Sequence, residues 1–173
     1  MKAVSIVAGS LFAGLLGGAC AYARVPEAPE SLRPPAGQEL THELLARGFQ
    51  VYECVSADTP ARLEWKLKAP DATLSDRSGR PMGTHFGGPT WQAPDGSAVV
   101  AEVRARERSQ DPAAIPHLLL AVKSATGTGS FERVRSIQRL ETAGGVAPAG
   151  ACEASQVARV PYTATYYFYG EKR

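Results

Sequence analysis

The chain has 173 residues, with 19 Lys and Arg against 17 Asp and Glu and a formal net charge of +2. A balance this close to neutral excludes the basic surface that nucleic-acid-binding proteins present. A single domain of this length buries roughly 70% of its unfolded surface, so the chain can form a hydrophobic core.

The N-terminal segment has the pattern of a secretory signal peptide. Lys2 is followed by an uncharged apolar stretch over residues 3–18, and residues 21–23 (AYA) match a small-x-small cleavage site. The apolar stretch is too short and too rich in glycine for a membrane-spanning helix. We therefore predict cleavage after residue 23 and a secreted or periplasmic product, with no transmembrane helix in the mature chain.

A lipid anchor is the alternative for this segment. Cys20 follows small residues, as the acylated cysteine of a lipoprotein signal does, but the nearest leucine, Leu16, lies four positions before it instead of three. Acylation would anchor the protein to a membrane instead of releasing it. Attachment through Cys20 is thus the second prediction for localisation.

Removal of residues 1–23 leaves Cys54 and Cys152 as the cysteines of the mature chain. In an oxidising compartment, two thiols in one small domain usually pair. We predict a Cys54–Cys152 disulfide, which would close a loop of about 100 residues and stabilise the fold by about 4–5 kcal/mol in the simple chain model.

After the signal peptide, the chain changes from a proline-rich segment to short runs of alternating polarity. Residues 24–37 contain four prolines and no periodicity, which predicts an extended linker. Beyond residue 38, apolar and polar residues alternate in runs that predict half-buried β-strands. In chain order, these runs cover residues 49–55, 63–67, 99–105, 118–122, 131–140 and 160–169. Residues 40–47 fit either a short helix or a strand.

Turn sequences rich in Gly, Pro and Asp separate these runs, such as 76–79 (DRSG) and 94–96 (PDG). No strand-helix-strand rhythm is present, so a doubly wound α/β fold is disfavoured. We predict one all-β domain over residues 38–173, a sandwich or barrel of about eight strands.

The histidines show no catalytic or metal-binding spacing. His42, His85 and His117 lie far apart in the sequence, so no metal site and no cofactor are predicted. His85 lies in the segment 83–91 (GTHFGGPTW), where a Gly-Gly-Pro turn lets the backbone approach closely. A strand histidine bonded to a carbonyl group is the plainer interpretation of His85.

We nevertheless take the segment around His85 as the candidate ligand site. His85, Trp91 and Asp95 are the predicted ligand-binding residues, because an imidazole, an indole and a carboxylate near a turn can line a cleft. No catalytic residue is assigned.

The last predicted strand carries aromatic side chains on both faces. Tyr162, Tyr166 and Phe168 share one face, and Tyr167 and Tyr169 share the other. This pattern predicts either a strand buried on both sides or one face that presents an aromatic platform for a flat ligand.

Arginines at nearly alternate positions precede that strand. Arg104, Arg106 and Arg108 alternate on one predicted strand, and Arg133, Arg135 and Arg139 nearly do so on another. If these strands are neighbours, their outer face is a basic stripe able to hold an anion. The interleaved glutamates favour instead a solvated outer face with cross-strand ion pairs. The alternation breaks near Arg135, which predicts a β-bulge.

A set of motifs in a fixed order runs through residues 36–169. They comprise Trp65 with 69–74 (APDATL), 83–91 (GTHFGGPTW), 95–97 (DGS), 114–116 (AIP), 137–139 (IQR), 144–145 (GG), Cys152 and 160–169 (VPYTATYYFY). Together they resemble domain of unknown function 3455, a family of exported proteins of bacteria and fungi. The resemblance implies export, supports the cysteine pair and implies no catalytic residue. His117 stands where the family pattern has a tryptophan after Ile-Pro, which argues against a family-wide role for it.

Together, these observations predict a secreted or periplasmic ligand-binding or structural β module. Its predicted partner is a small molecule or a glycan, and not a nucleic acid. The alternative is an extracytoplasmic hydrolytic or metal-dependent enzyme that uses His85 as a base or a metal ligand. The sequence assigns no oligomeric state.

Overall fold

A computed structural model describes residues 25–58 and 61–172. These residues form eight antiparallel strands in one closed barrel, where each strand pairs with its neighbours in sequence and β1 pairs with β8. The strands are β1 (Gln38–Asp58), β2 (Ala61–Ser75), β3 (Pro81–Phe86), β4 (Thr90–Gln92), β5 (Ala98–Glu107), β6 (His117–Thr126), β7 (Val134–Gly144) and β8 (Val157–Glu171).

The barrel confirms the prediction of an all-β fold with about eight strands, and it selects the barrel over the sandwich. The predicted signal peptide over residues 1–23 and the candidate acylation site Cys20 lie outside the described residues. No helix within 25–58 and 61–172 has the length and hydropathy that crossing a lipid bilayer requires.

The longest strand, β1, is hydrogen-bonded to a neighbouring strand along each of its two edges. It is 21 residues long and pairs with β2 on one side and β8 on the other. Residues 40–47 are part of it, so they form a strand and not a helix. Gly48 permits a close approach of β2, because a Cβ at this position would lie 2.1 Å from the carbonyl oxygen of Asp71.

Apolar and aromatic side chains pack inside the barrel, whose eight strands leave space for side chains or for one small ligand. Near the start of β1, the rings of Phe131 and Phe168 stack with centroids 4.8 Å apart, and His42 meets both rings edge-on. Further along β1 the interior becomes polar, since Gln50 and His85 are buried there. The site described below lies in this polar half.

The N-terminal segment that the sequence predicted as a linker packs against the outer wall of the barrel. A 3₁₀ turn at Glu30–Leu32 buries Leu32 completely in a cluster with Leu140, Tyr167 and Tyr169. The Gln138 side-chain amide donates a hydrogen bond to the carbonyl of Leu32. Strand β8 is therefore buried on both sides, which decides between the two alternatives for its aromatic faces.

The predicted disulfide is confirmed. Cys54 and Cys152 are bonded, with Cα atoms 5.9 Å apart and a sequence separation of 98. Cys54 also accepts a hydrogen bond from the Ser155 amide and donates one to the carbonyl of Gln156. The loop over residues 145–156 is thereby fixed to the far part of β1, and we call this region the disulfide end of the barrel.

Candidate functional site

Two of the three predicted ligand residues come together inside the barrel. His85 on β3 and Trp91 on β4 are direct cross-strand partners, and both side chains are buried. Their rings stack with centroids 4.1 Å apart and planes 11° from parallel. The tight β3–β4 connection produces this pair, because it places the two residues opposite each other on the inner face.

The hydrogen bonding of His85 fixes its protonation. Nδ1 lies 2.8 Å from the carbonyl oxygen of Thr90, and a carbonyl can only accept, so Nδ1 carries the proton and Nε2 keeps a lone pair. Burial lowers the pKa of His85 from 6.5 to about 3; the bond to Thr90 partly opposes this effect, and the charge of Arg139 adds to it. His85 is therefore a neutral imidazole at physiological pH.

Tyr166 and Tyr162 on β8 complete the inner surface around this pair. The Tyr166 ring meets Trp91 with centroids 5.4 Å apart at 74° and His85 with centroids 5.2 Å apart at 67°. Burial raises the pKa of both tyrosines. Their hydroxyls lie close enough to influence each other, and Arg139 lies close enough to lower the pKa of Tyr166, but none of these contacts has the geometry of a formed hydrogen bond. Both tyrosines therefore remain protonated and can donate hydrogen bonds.

Several of the buried polar atoms here have no partner. Within the described residues, the side-chain nitrogens Nε2 of Gln50 and Nε1 of Trp91 and the hydroxyls of Tyr162 and Tyr166 make no hydrogen bond. Each unsatisfied buried donor costs about 1–3 kcal/mol, and native structures rarely contain several in one region. Unpartnered atoms elsewhere in this part of the chain occur singly, on Gln38 and Trp65.

Arg139 adds a positive charge to the same region. It pairs in register with Tyr166 and Leu118, whose side chains belong to the interior, so Arg139 also points inward. The outer position predicted for Arg139 is therefore wrong, because the register shift between Val134 and Ser136 changes the phase of β7. Its Nε and Nη2 donate to the carbonyl of Pro116 at 3.1 and 2.9 Å.

No acidic side chain of the described residues forms an ion pair with Arg139; the ion pairs of this part of the chain involve other residues. We call the inward-facing set of Gln50, Trp91, Arg139, Tyr162 and Tyr166 the donor cluster. All of its members can donate hydrogen bonds, and one carries a permanent charge.

The donor cluster reaches toward the disulfide end. A Cβ on Gly145 would lie 2.9 Å from Cβ of Tyr162 and 3.2 Å from Cγ of Gln50, so both side chains lie directly against the 145–156 loop. The hydroxyl of Tyr52 donates to the carbonyl of Gly145 at 2.7 Å and holds the start of this loop in place. Gly145, where this loop begins, therefore packs directly against the donor cluster.

Asp95, the third predicted ligand residue, is engaged elsewhere. Its carboxylate accepts hydrogen bonds from the amide and hydroxyl groups of both Ser97 and Ser130 at 2.6–2.9 Å. These bonds hold the pKa of Asp95 well below 3.8. Asp95 thus joins the β4–β5 turn to the β6–β7 loop, and we call this set of three residues the Asp95 corner.

A large groove lies on the outer wall, away from these side chains. It has a volume of about 1060 Å³ and is lined by residues of β1, β2, β3 and β8 with the β4–β5 turn, and not by His85, Trp91 or Asp95. The hydroxyls of Thr73 and Thr84 in this groove lie on exposed residues and can bond to water at no cost, and that of the buried Thr165 donates to Glu141. Buried donors cannot bond to bulk water in this way, so we place the candidate site at the donor cluster and not at the groove.

Sequence reasoning did not identify Gln50 and Arg139 as site residues. Gln50 is one polar residue in a strand, and period-two alternation alone does not show which face of a bent strand lies inside. The broken alternation near Arg135 was the available signal for Arg139, since a bulge reverses the phase of the residues that follow. Within the described ranges, no group of three His, Cys, Asp or Glu side chains could hold a metal ion.

The fold and the site define the class of protein: a closed antiparallel barrel with sequential strand pairing and a donor-rich polar interior toward one end. The model of the family described as "Protein of unknown function (DUF3455)" matches residues 35–170. The chain belongs to this family, which confirms the resemblance seen in its motifs. No curated protein and no solved structure matches the chain.

Proposed function

We propose that this protein is exported and that its barrel binds a small molecule at the donor cluster. The observation that carries the proposal is the group of four unpartnered donors on Gln50, Trp91, Tyr162 and Tyr166. A ligand with hydrogen-bond acceptors would satisfy them together, which offsets a cost of about 1–3 kcal/mol for each donor. The interior of an eight-stranded barrel can accommodate one small ligand at most, so a small molecule suits this site better than a polymeric glycan.

Two observations support export. Residues 1–23 carry the signal-peptide pattern, and the Cys54–Cys152 disulfide suits an oxidising compartment. Mass spectrometry of the protein made with its own N-terminus in a Gram-negative host distinguishes the two modes of export. A mature chain that starts at Arg24 indicates a released protein, an acylated Cys20 indicates an anchored one, and an uncleaved cytoplasmic chain contradicts export.

The geometry of His85 supports binding better than hydrolysis or metal chemistry. Its Nδ1 is bonded to Thr90 and its ring face is covered by Trp91. With a pKa of about 3, the imidazole is a weak base near neutral pH. We therefore assign His85 a holding role, in which it fixes the position of the Trp91 indole and offers Nε2 as an acceptor.

Native mass spectrometry of protein purified from the exported fraction tests the binding proposal. We expect a mass excess of one small molecule on the wild type and its loss in the Gln50→Leu, Tyr162→Phe double variant. Tyr167→Phe is the matched control, because Tyr167 lies on the same strand and faces the outer wall. A wild type without a mass excess, or an excess that the double variant retains, contradicts the proposal.

A further inference from the structure

The donor cluster has a chemical bias that narrows the kind of molecule it can hold. The indole Nε1 of Trp91 can only donate, as can the guanidinium of Arg139 and the amide nitrogen of Gln50. The tyrosine hydroxyls are protonated and add two more donors. A cation or a molecule that mainly donates hydrogen bonds would leave these groups unsatisfied and would be repelled by Arg139.

Arg139 supplies both charge and geometry. Its Nε and one hydrogen of Nη2 are directed at the carbonyl of Pro116, which leaves Nη1 and the second hydrogen of Nη2. These remaining hydrogens form the end-on fork that binds the two oxygens of a carboxylate or phosphate. The side chain is half-buried and lacks an acidic partner among the described residues, so an anion from outside the chain would compensate its charge.

The position of the fork is suited to a ligand inside the barrel. Arg139 is the register neighbour of Tyr166, and its charge acts on the pKa of Tyr52, His85, Tyr162 and Tyr166. The guanidinium therefore lies among the unpartnered donors and not at a separate place on the wall. Apolar side chains of Ile115 and Leu118 belong to the same core and can contact the uncharged part of a ligand.

We infer that the donor cluster binds a small oxyanion, with a carboxylate or phosphate group held by the free fork of Arg139 and by the hydroxyls of Tyr162 and Tyr166. This inference rests on the proposed binding function and specifies its ligand class. Trp91 and Gln50 donate to further acceptors of the same molecule. Organic carboxylates and inorganic phosphate share this chemistry, and the experiment below separates them.

Isothermal titration calorimetry of the refolded, ligand-free protein tests the inference. The probes are benzoate, inorganic phosphate and the neutral benzamide, at constant ionic strength in a buffer without oxyanions. We expect benzoate or phosphate to bind at least roughly 10-fold more tightly than benzamide, since a charge-assisted hydrogen bond contributes about 1.5–3 kcal/mol. Preference for benzoate indicates an organic carboxylate site, and preference for phosphate indicates a phosphate site.

Charge variants check that Arg139 is responsible. Arg139→Gln should weaken anion binding by roughly 10-fold to 100-fold, and Arg139→Lys should weaken it less because it keeps the charge and loses the fork. Arg159→Gln is the matched control, since Arg159 lies on the outer wall in an ion pair with Asp71. Circular dichroism and the disulfide content of each variant show whether its barrel is intact, and Arg139→Lys replaces Arg139→Gln if the latter does not fold.

Two results would overturn the inference. Benzamide that binds as tightly as benzoate would show a site for neutral acceptors, which contradicts the ligand class and leaves the binding proposal in place. If neither anion binds, or if Arg139→Gln and Arg139→Lys bind as the wild type does, the assignment to Arg139 fails. The mass excess expected in native mass spectrometry decides the binding proposal independently of both results.

Discussion

The two ends of the barrel differ in their polar groups, which centre on the exposed carboxylate of Asp95 at one end and on buried donors at the other. In the Asp95 corner, the carboxylate accepts four hydrogen bonds, and the Ser97 hydroxyl accepts a fifth from the Phe131 amide. Toward the disulfide end, four side-chain donors have no partner within the described residues. The same chain thus satisfies its polar groups fully where they only hold loops together.

The ends also differ in how they are closed. Hydrogen bonds join two connecting loops at the Asp95 corner. At the other end, a covalent bond holds the 145–156 loop to β1, and the Tyr52 hydroxyl holds its first residue, Gly145, beside the donor cluster. A disulfide can hold a loop in place above groups that contribute little to stability themselves. Unsatisfied groups at some cost in stability are common at functional sites, so this difference supports the proposal that the donor cluster binds a ligand.

Removal of the disulfide should have the largest effect. For the Cys54→Ser, Cys152→Ser double variant, we expect the free energy of unfolding to fall by about 4–5 kcal/mol, because a loop of about 100 residues is no longer closed in the unfolded chain. Urea denaturation measures this change, with reduced wild type as the control. Hydrogen exchange should show loss of protection in the 145–156 loop and retained protection of the Ser97 and Ser130 amides. Equal loss at both ends would contradict the separation of their roles.

Asp95→Ala should cause a smaller loss of stability. It removes bonds that join two loops, whereas the control Asp76→Ala removes bonds confined to one turn, from Ser78 and Arg80. We expect a lower Tm for Asp95→Ala than for Asp76→Ala in thermal unfolding followed by circular dichroism. The same Tm for both variants would show that the corner does not hold the barrel end.

The pH dependence of that stability follows from the sign of the pKa change. The Ser97 and Ser130 donors lower the pKa of Asp95 below its ordinary value of 3.8, so folding favours the ionised carboxylate. This contribution is fully present above pH 3.8 and is lost as the pH falls through the lowered pKa of the folded state. The Tm difference between wild type and Asp95→Ala should therefore narrow below about pH 4.

Removal of one unpartnered hydroxyl should have the smallest effect and can have the opposite sign. In ligand-free protein, Tyr166→Phe should leave the free energy of unfolding within about 0.5 kcal/mol of the wild type or raise it, because the lost hydroxyl has no protein partner. Tyr169→Phe, on the outer face of the same strand, should lower it by about 1–3 kcal/mol, since Tyr169 donates to buried Gln138 at 2.6 Å. Denaturant unfolding compares them, and a larger loss for Tyr166→Phe would contradict the description of the donor cluster.

Much of the fold was predictable from local patterns. Alternation over residues 63–67 and 99–105 marks true strands. A predicted signal peptide, whose removal leaves two cysteines, was sufficient to predict the Cys54–Cys152 bond. The bounds of the short strands β3 and β4 were not predicted, because six and three residues around Gly and Pro give no periodic signal. The interpretation of His85 as a strand histidine bonded to a carbonyl is nevertheless confirmed. Their pairing nevertheless brings His85 and Trp91 together, since the connection between them is short.

The site was less predictable, because it depends on which side chains of each strand face inward and on the closure of the barrel between β1 and β8. Irregularities in strand pairing determine which residues of β1 and β7 face inward. Examples are the register shifts between Val51 and Tyr52 on β1 and between Val134 and Ser136 on β7. One such shift places Arg139 inside. Gln50 becomes a neighbour of Tyr162 only when the barrel closes between β1 and β8. Asp95 is near Trp91 in sequence. As a turn residue, however, its orientation is set by the loop, and it does not face the barrel interior as Trp91 does.

The pairing of β1 with β8 has a consequence for how the chain reaches its folded state. Gln38 at the start of β1 is paired with Glu171 at the end of β8, so the seam joins the first strand of the barrel with its eighth. Contacts this distant in sequence form slowly, and the barrel stays open until β8 is available for pairing. A chain truncated before Val157 would expose the edges of β1 and β7, which are templates for pairing between molecules. Nonsense mutations late in this gene are therefore expected to give aggregates and not a shortened but working barrel.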